Sequence, residues 1–175
     1  MLNRSQTPQF ITVSIGMIYF RTMDVTEGYL SIAHCVSSDL RFGLGVAKQI
    51  REKFGQMDLI ATQDCNIGRV AITYPPRVAI PNPPNVAVTY PPRFIFHLFS
   101  KSRCFGKPSE ASLEKCLWEL KRKMIVLGVR DVQAPRLAAG LDRMRWERVL
   151  VILDKVFNDT NVNIHICTLP ESHST

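Results

Sequence analysis

Residues 33–55 read AHCVSSDLRFGLGVAKQIREKFG, and the fold turns on how that stretch is read. It opens inside an apolar run, YLSIAHCV at 29–36, whose composition predicts a buried strand. After the loop comes a pair of glycines one residue apart, Gly43 and Gly45. Val46, Ile50 and Phe54 then recur every four residues before Gly55, the spacing and stop signal of an amphipathic helix. Strand, glycine turn and helix make one α/β unit. Glycine at such a turn lets the backbone bend sharply or lets a ligand approach it. The unpaired N–H groups at the start of the helix, with its positive dipole end, suit phosphate.

Outward from that unit the pattern repeats. FITVSIGMIYF at 10–20 predicts a further buried strand, as does FIFHLFS at 94–100. Residues 108–128 predict a long helix with Ser109 as N-cap, a buried stripe of Leu113, Leu117, Leu120, Met124 and Leu127, and a stop at Gly128. VRDVQAP at 129–135 reads as a strand. MRWERVLVILDKVF at 144–157 reads as a helix buried through Trp146, Val149, Leu150, Leu153 and Phe157, and VNIHICTL at 162–169 as a closing strand. The expected class is α/β, with a mixed, mainly parallel sheet and helices on both faces. One segment departs from this: VAITYPPR at 70–77 recurs as VAVTYPPR at 86–93 around IPNPPN, and seven of the eleven prolines lie between Pro75 and Pro92. Proline cannot donate to a sheet ladder, so about 75–93 reads as an inserted surface loop between two competing copies of one strand.

At 175 residues the chain is long enough for one domain with a real core, expected over 10–169 between tails at 1–9 and 170–175. A net charge of +7 favours anions, but Lys and Arg are spread along the chain rather than focused as on a nucleic-acid-binding face. Cys35, Cys65, Cys104, Cys116 and Cys167 show no metal-ligand spacing, so buried reduced thiols and no metal are expected. The apolar run after Arg4 is too short to cross a bilayer and lacks a cleavage site, which leads us to expect an intracellular protein without a membrane segment. His34, His97, His165 and His173 do not cluster in the sequence, and the first three read as structural residues in strands.

GLGVAK lacks the third glycine of a dinucleotide fingerprint, and no GxxxxGK[ST] or GxSxG occurs. A second glycine turn follows a strand in APRLAAGLDRMRWERV, where Asp142 taken alone is most economically a helix N-cap. Two glycine turns at strand ends are the arrangement expected for a diphosphate held from both sides.

Together, AHCVSSDLRFGLGVAKQIREKFG, LFSKSRCFGKPSEASLEKCLWELKRKM at 98–124 and PRLAAGLDRMRWERVLVILDKVF at 135–157 resemble a macrodomain of the terminal ADP-ribose protein glycohydrolase and O-acetyl-ADP-ribose deacetylase branch. The resemblance covers about 18–169 except the proline segment, and implies a three-layer sandwich. It implies that Gly43, Gly45 and Val46 form a first phosphate loop, and Ala138, Ala139, Gly140 and Leu141 a second. By the same resemblance Asp24 meets the adenine amino group, Ser37 lies near the distal ribose, Lys101 is the reactive lysine and Asp142 the catalytic aspartate. The implied activity is removal of mono-ADP-ribose from glutamate and aspartate esters and deacetylation of O-acetyl-ADP-ribose, without a cofactor. The implied setting is a monomer in nucleus or cytoplasm acting on mono-ADP-ribosylated proteins, with poly-ADP-ribose as a further ligand. Where that branch has Gly and Cys before GLD, this chain has Ala138 and Ala139; a Cβ at 138 would obstruct the phosphate if that residue needs a positive φ. A non-catalytic ADP-ribose reader of the same fold, which needs neither Lys101 nor Asp142, stays open, as does a basic scaffold for poly-ADP-ribose or RNA.

Overall fold

Two neighbouring strands show how the core is divided. In β2 (Ser31–Ser37) and β4 (Ile95–Lys101), successive side chains point to opposite faces of the sheet. Ala33, Phe96 and Leu98 join one cluster; Ile32 and Ile95, and Val36 and Phe99, join two clusters on the other face. Both faces are covered, which is why these strands read as nearly continuous apolar runs.

The computed structural model describes residues 18–75 and 93–170. The expected N-terminal tail, residues 171–175 of the C-terminal one and the proline-rich insertion other than Pro75 and Arg93 lie outside the described residues. Besides β2 and β4, the strands are β1 (Ile18–Thr22), β3 (Val70–Thr73), β5 (Asp131–Ala134) and β6 (Asn163–Thr168). Among the described residues they form one six-stranded sheet in the order β1-β6-β5-β2-β4-β3. Every pairing is parallel except β3 with β4, so the expected mixed, mainly parallel α/β sheet is what is found.

On one face lie α3 (Glu110–Leu127) and α4 (Trp146–Phe157), burying Leu113, Leu117, Leu120 and Met124 with Val149, Leu153 and Phe157. Trp146 and Leu150 are only half-buried, while Ile152 and Val156 are buried as well. On the other face lie α1 (Gly45–Phe54) and α2 (Met57–Ala61), through Ile50 and Ile60. Phe96, Phe99 and Phe157 are among the largest side chains fully removed from water; each contributes about 2–3 kcal/mol by apolar burial.

Ser109 caps α3 as expected: its hydroxyl accepts from the Ser112 N–H while the Ser112 hydroxyl accepts from the Ser109 N–H, each at 3.0 Å. The Ser112 hydroxyl also donates to the Ser100 carbonyl at 2.6 Å, tying the start of α3 to the end of β4. The first copy of the duplicated strand supplies β3, in register Val70↔Leu98 through Thr73↔Ile95. Of the second copy only Arg93 is described, and its Nε donates to the Leu30 carbonyl at 2.9 Å.

The expected buried strand at 10–20 needs correction. Residues 10–17 lie outside the described part, and among the described residues Ile18–Thr22 is an edge strand with β6 as its neighbour, and Phe20 is 43% exposed. Among the described residues, no helix is long and apolar enough to cross a membrane.

Candidate active site

β2 and β4 end side by side, and the residues expected to act collect there. Lys101 closes β4 opposite Ser37, where the register shifts at a bulge, and the Ser38 N–H donates to the Lys101 carbonyl at 2.9 Å. The Lys101 ammonium donates to Asp142 Oδ1 in an ion pair and to the Cys104 carbonyl at 3.1 Å. Both paired side chains are only 12% exposed, so solvent screens them weakly.

Asp142 is not an N-cap. Helix α4 starts four residues later at Trp146, with Arg145 in the cap position and no side-chain cap. The segment before it folds on itself: the Arg143 N–H donates to the Gly140 carbonyl at 3.1 Å and the Met144 N–H to the Ala138 carbonyl at 2.9 Å. Ala138 and Arg143 are left-handed, at φ 55° and 56°. These reversals delay the helix, and Asp142 meets Lys101 instead of capping it.

The first glycine turn is built differently. α1 begins at Gly45, and its N-cap residue Leu44 offers no side-chain hydrogen bond, so the first N–H groups of the helix lack a side-chain cap. Gly45 has φ +56°, and a Cβ there would lie 3.1 Å from Leu141 Cδ1, so the two turns approach each other at this point. Gly43 has open space where its Cβ would be. Val46 is half-buried against the cluster of Val25, Ile50 and Cys167.

Beneath this turn the histidines of the strands are structural residues, as expected, and two that are far apart in the sequence meet across the sheet. His34 and His97 are register partners, with His34 Nε2 2.7 Å from His97 Nδ1, and His97 Nε2 is 2.9 Å from Thr73 Oγ1. Phe42, next to Gly43, packs its ring 6.3 Å from His34 and 5.9 Å from His97. His34 Nδ1 has no hydrogen-bond partner. We therefore assign the tautomer in which His34 Nε2–H donates to His97 and His97 Nε2–H donates to Thr73, because it strands a lone pair rather than an N–H. Desolvation holds both rings neutral: it takes His34 well below the usual histidine value, with His97 adding to the effect, and His97 down to about 3.

The second turn rests on Leu137 and Ala138, both buried, with the half-buried Cys35 packed against the same apolar cluster. Desolvation pushes the Cys35 thiol up to about 12, so it remains protonated beside Lys101 and Asp142. Ala139 is half-buried, while Gly140 and Leu141 are exposed. All five cysteines are free, but only Cys116 and Cys167 are buried; Cys35, Cys65 and Cys104 are half-buried.

The structure therefore brings together Ser37, Lys101 and Asp142, and separately Gly45 with Leu141. Asp24 stands apart, in the loop after β1, where Oδ1 accepts from the Thr26 N–H at 2.7 Å and hydroxyl at 2.8 Å. Sequence reasoning missed Asp39 and Cys104. Asp39 Oδ1 accepts the Ser37 hydroxyl at 2.5 Å and Oδ2 the Cys104 N–H at 2.9 Å. The signal available was SSD directly after a strand, a Ser-x-Asp spacing that favours a local side-chain bond.

Residues 33–153 match the Macro domain family. The chain is 33% identical over 139 residues to the human protein named ADP-ribose glycohydrolase OARD1, covering 79% of this chain and 82% of that one. The Bos taurus protein of the same name matches at the same identity and coverage. Among solved structures, the macrodomain of Thermus aquaticus DarG is similar with a TM-score of 0.70 at 21% identity, over 87% of this chain and 99% of that one. Thermosipho africanus DarTG, solved in complex with ADP-ribose, is similar with a TM-score of 0.74 at 14% identity, over 91% of this chain and 43% of that one.

Proposed function

We propose, for a chain that belongs to the macrodomain family, that it hydrolyses ester-linked ADP-ribose, releasing mono-ADP-ribose from glutamate and aspartate side chains. O-acetyl-ADP-ribose, an ester on the same ribose, is a second substrate. The observation that carries this reading is the sheltered ion pair of Lys101 and Asp142 at the ends of β4 and of the second turn. An ADP-ribose reader has no use for a lysine and a carboxylate held in contact there; a hydrolase does.

The chemistry follows from the pair. Asp142 takes a proton from the Lys101 ammonium, and the neutral amine attacks the anomeric carbon of the distal ribose. The bond from that carbon to the ester oxygen breaks, and the target's carboxyl group leaves with the proton that Asp142 had taken, which restores the Asp142 carboxylate. Water then adds to the same carbon with Asp142 as base; the bond to Lys101 breaks, and ADP-ribose and the amine are regenerated. The first turn receives the diphosphate through Gly43, Gly45, Val46 and the uncapped start of α1, and Ala138, Ala139, Gly140 and Leu141 close on it from the other side. Asp24 meets the adenine amino group, and Ser37 the distal ribose. Residues 10–169 act as one domain with the proline-rich segment as an insertion. The protein works as a monomer in nucleus or cytoplasm on mono-ADP-ribosylated proteins, and poly-ADP-ribose is a further ligand.

The test is release of ADP-ribose from a protein mono-ADP-ribosylated on glutamate. Lys101→Ala and Asp142→Ala should each lower turnover by about 100-fold or more, the range of a positioned proton-transfer group, while retaining ADP-ribose affinity in calorimetry. Wild-type protein that binds ADP-ribose but releases none would make it a reader.

A further inference from the structure

Lys101 has a second polar partner besides Asp142, and that partner is itself held in place. The Cys104 carbonyl accepts from Lys101 Nζ at 3.1 Å, while the Cys104 N–H donates to Asp39 Oδ2 at 2.9 Å. Cys104 lies in a tight turn whose Gly106 N–H donates to the Arg103 carbonyl at 2.9 Å. The other oxygen of Asp39 accepts the hydroxyl of Ser37, the residue paired with Lys101 across the strands. One carboxylate thus clamps the loop after β2 to the loop after β4, on either side of the reactive lysine. We propose that Asp39 is a positioning residue for Lys101, acting through the Cys104 peptide; this rests on the nucleophile reading given above.

The physical reason lies in the amine. A neutral lysine amine has two N–H bonds and one lone pair, and it attacks only when the lone pair faces the anomeric carbon. The Cys104 carbonyl takes one N–H and so restricts rotation about the Cε–Nζ bond. That carbonyl points correctly only while its own peptide is pinned, and the turn 103–106 is exposed at Arg103 and Phe105, where Arg41 lies over the Phe105 ring at 5.9 Å. The Asp39 carboxylate is well suited to pinning it. Desolvation opposes its charge, but hydrogen bonds from Ser37 and Cys104 prevail and hold it below the usual carboxylate range, so it remains an acceptor at neutral pH. The Arg41 side chain adds only a long contact, 3.8 Å from Oδ2 and largely exposed.

The experiment compares wild type, Asp39→Ala, Asp39→Asn and Lys101→Ala in steady-state release of ADP-ribose from the glutamate-linked protein. Thermal unfolding and calorimetry with free ADP-ribose are run on all four. Asp39→Ala should lower kcat by about 100-fold, the penalty of a misaligned reacting group, with KM and ADP-ribose affinity within about twofold of wild type. Asp39→Asn should recover most of that loss, because its carbonyl still accepts the Cys104 N–H while its amide donates to the Ser37 hydroxyl. Wild-type kcat in Asp39→Ala beside an inactive Lys101→Ala would overturn the role of Asp39 alone. So would a loss confined to KM and affinity, or an Asp39→Asn that folds like wild type yet is as slow as Asp39→Ala. Wild-type turnover in Lys101→Ala would instead overturn the nucleophile reading beneath it.

Discussion

The two turns facing the candidate site do similar work on different foundations. The first, at 43–45, runs straight into α1 and sits on Phe42, which packs over the His34–His97 pair. The second, at 138–142, stands four residues short of α4 and sits on Leu137 and Cys35 in one apolar cluster, with an alanine where the backbone is left-handed. Within the first turn, at 43–45, the left-handed position is a glycine, Gly45, although Phe42 just before it is left-handed too, at φ 45°. The second places a Cβ-bearing residue in a left-handed conformation, and the turn hydrogen bonds around it keep that conformation in place. At Gly45 the left-handed backbone is permitted by residue type; at Phe42 and Ala138 it is imposed by the surroundings.

The largest expected effect that probes this contrast is at Gly45. Gly45→Val puts a β-branched residue at φ +56° and a Cβ 3.1 Å from Leu141, which cannot be accommodated without moving one turn. Denaturant unfolding should show a loss of about 2–4 kcal/mol. A change below about 0.5 kcal/mol would mean that the first turn is no more dependent on glycine than the second.

Acid should loosen the first turn before the second. His34 and His97 are held neutral when folded, below their ordinary 6.5, so the unfolded chain takes up protons first as pH falls. Their stabilisation is complete above about pH 6.5 and is lost as pH drops from there toward about 3. For one histidine the loss by pH 5 is about 2 kcal/mol. Stability that stays flat between pH 7.5 and 5 would contradict it; the carboxylates held low by hydrogen bonds act only nearer pH 4.

Gly43 provides the sharper functional probe, because open space surrounds its Cβ position and its φ is not positive. Gly43→Val should leave the melting temperature unchanged and weaken ADP-ribose binding about tenfold, or about 1.4 kcal/mol. Intact affinity would make this glycine only part of a helix entry. The smallest effect is at Ala138. Relief of left-handed strain is partly offset by the greater freedom of unfolded glycine, so Ala138→Gly should gain about 0.5–1 kcal/mol and bind ADP-ribose slightly more tightly. A loss of stability would show that the alanine methyl, 6% exposed with its residue, contributes more through packing than its backbone costs.

Much of this was legible along the chain. The 3.6-residue stripe of Leu113, Leu117, Leu120 and Met124, the Ser109 cap and the glycine stops are local signals, and local physics honours them. Lys101 and Asp142 were each visible, but Asp142 also read as a cap, since Asp before a helix is the ordinary capping pattern. Only the left-handed backbone at Ala138 and Arg143 removes it from that role.

From the sequence alone come the alternation of strands and helices, hence the α/β class, and the residue types at the two turns. Periodicity and capping depend on neighbours within a turn or two, so they survive without a third dimension. Which residues meet across the sheet was decided by the tertiary structure. Lys101 reaches Asp142 over 41 positions, His34 reaches His97 over 63, and Asp39 reaches Cys104 over 65. Those meetings depend on strand order and register, and a bulge between Val36 and Ser37 shifts the register just where Lys101 emerges.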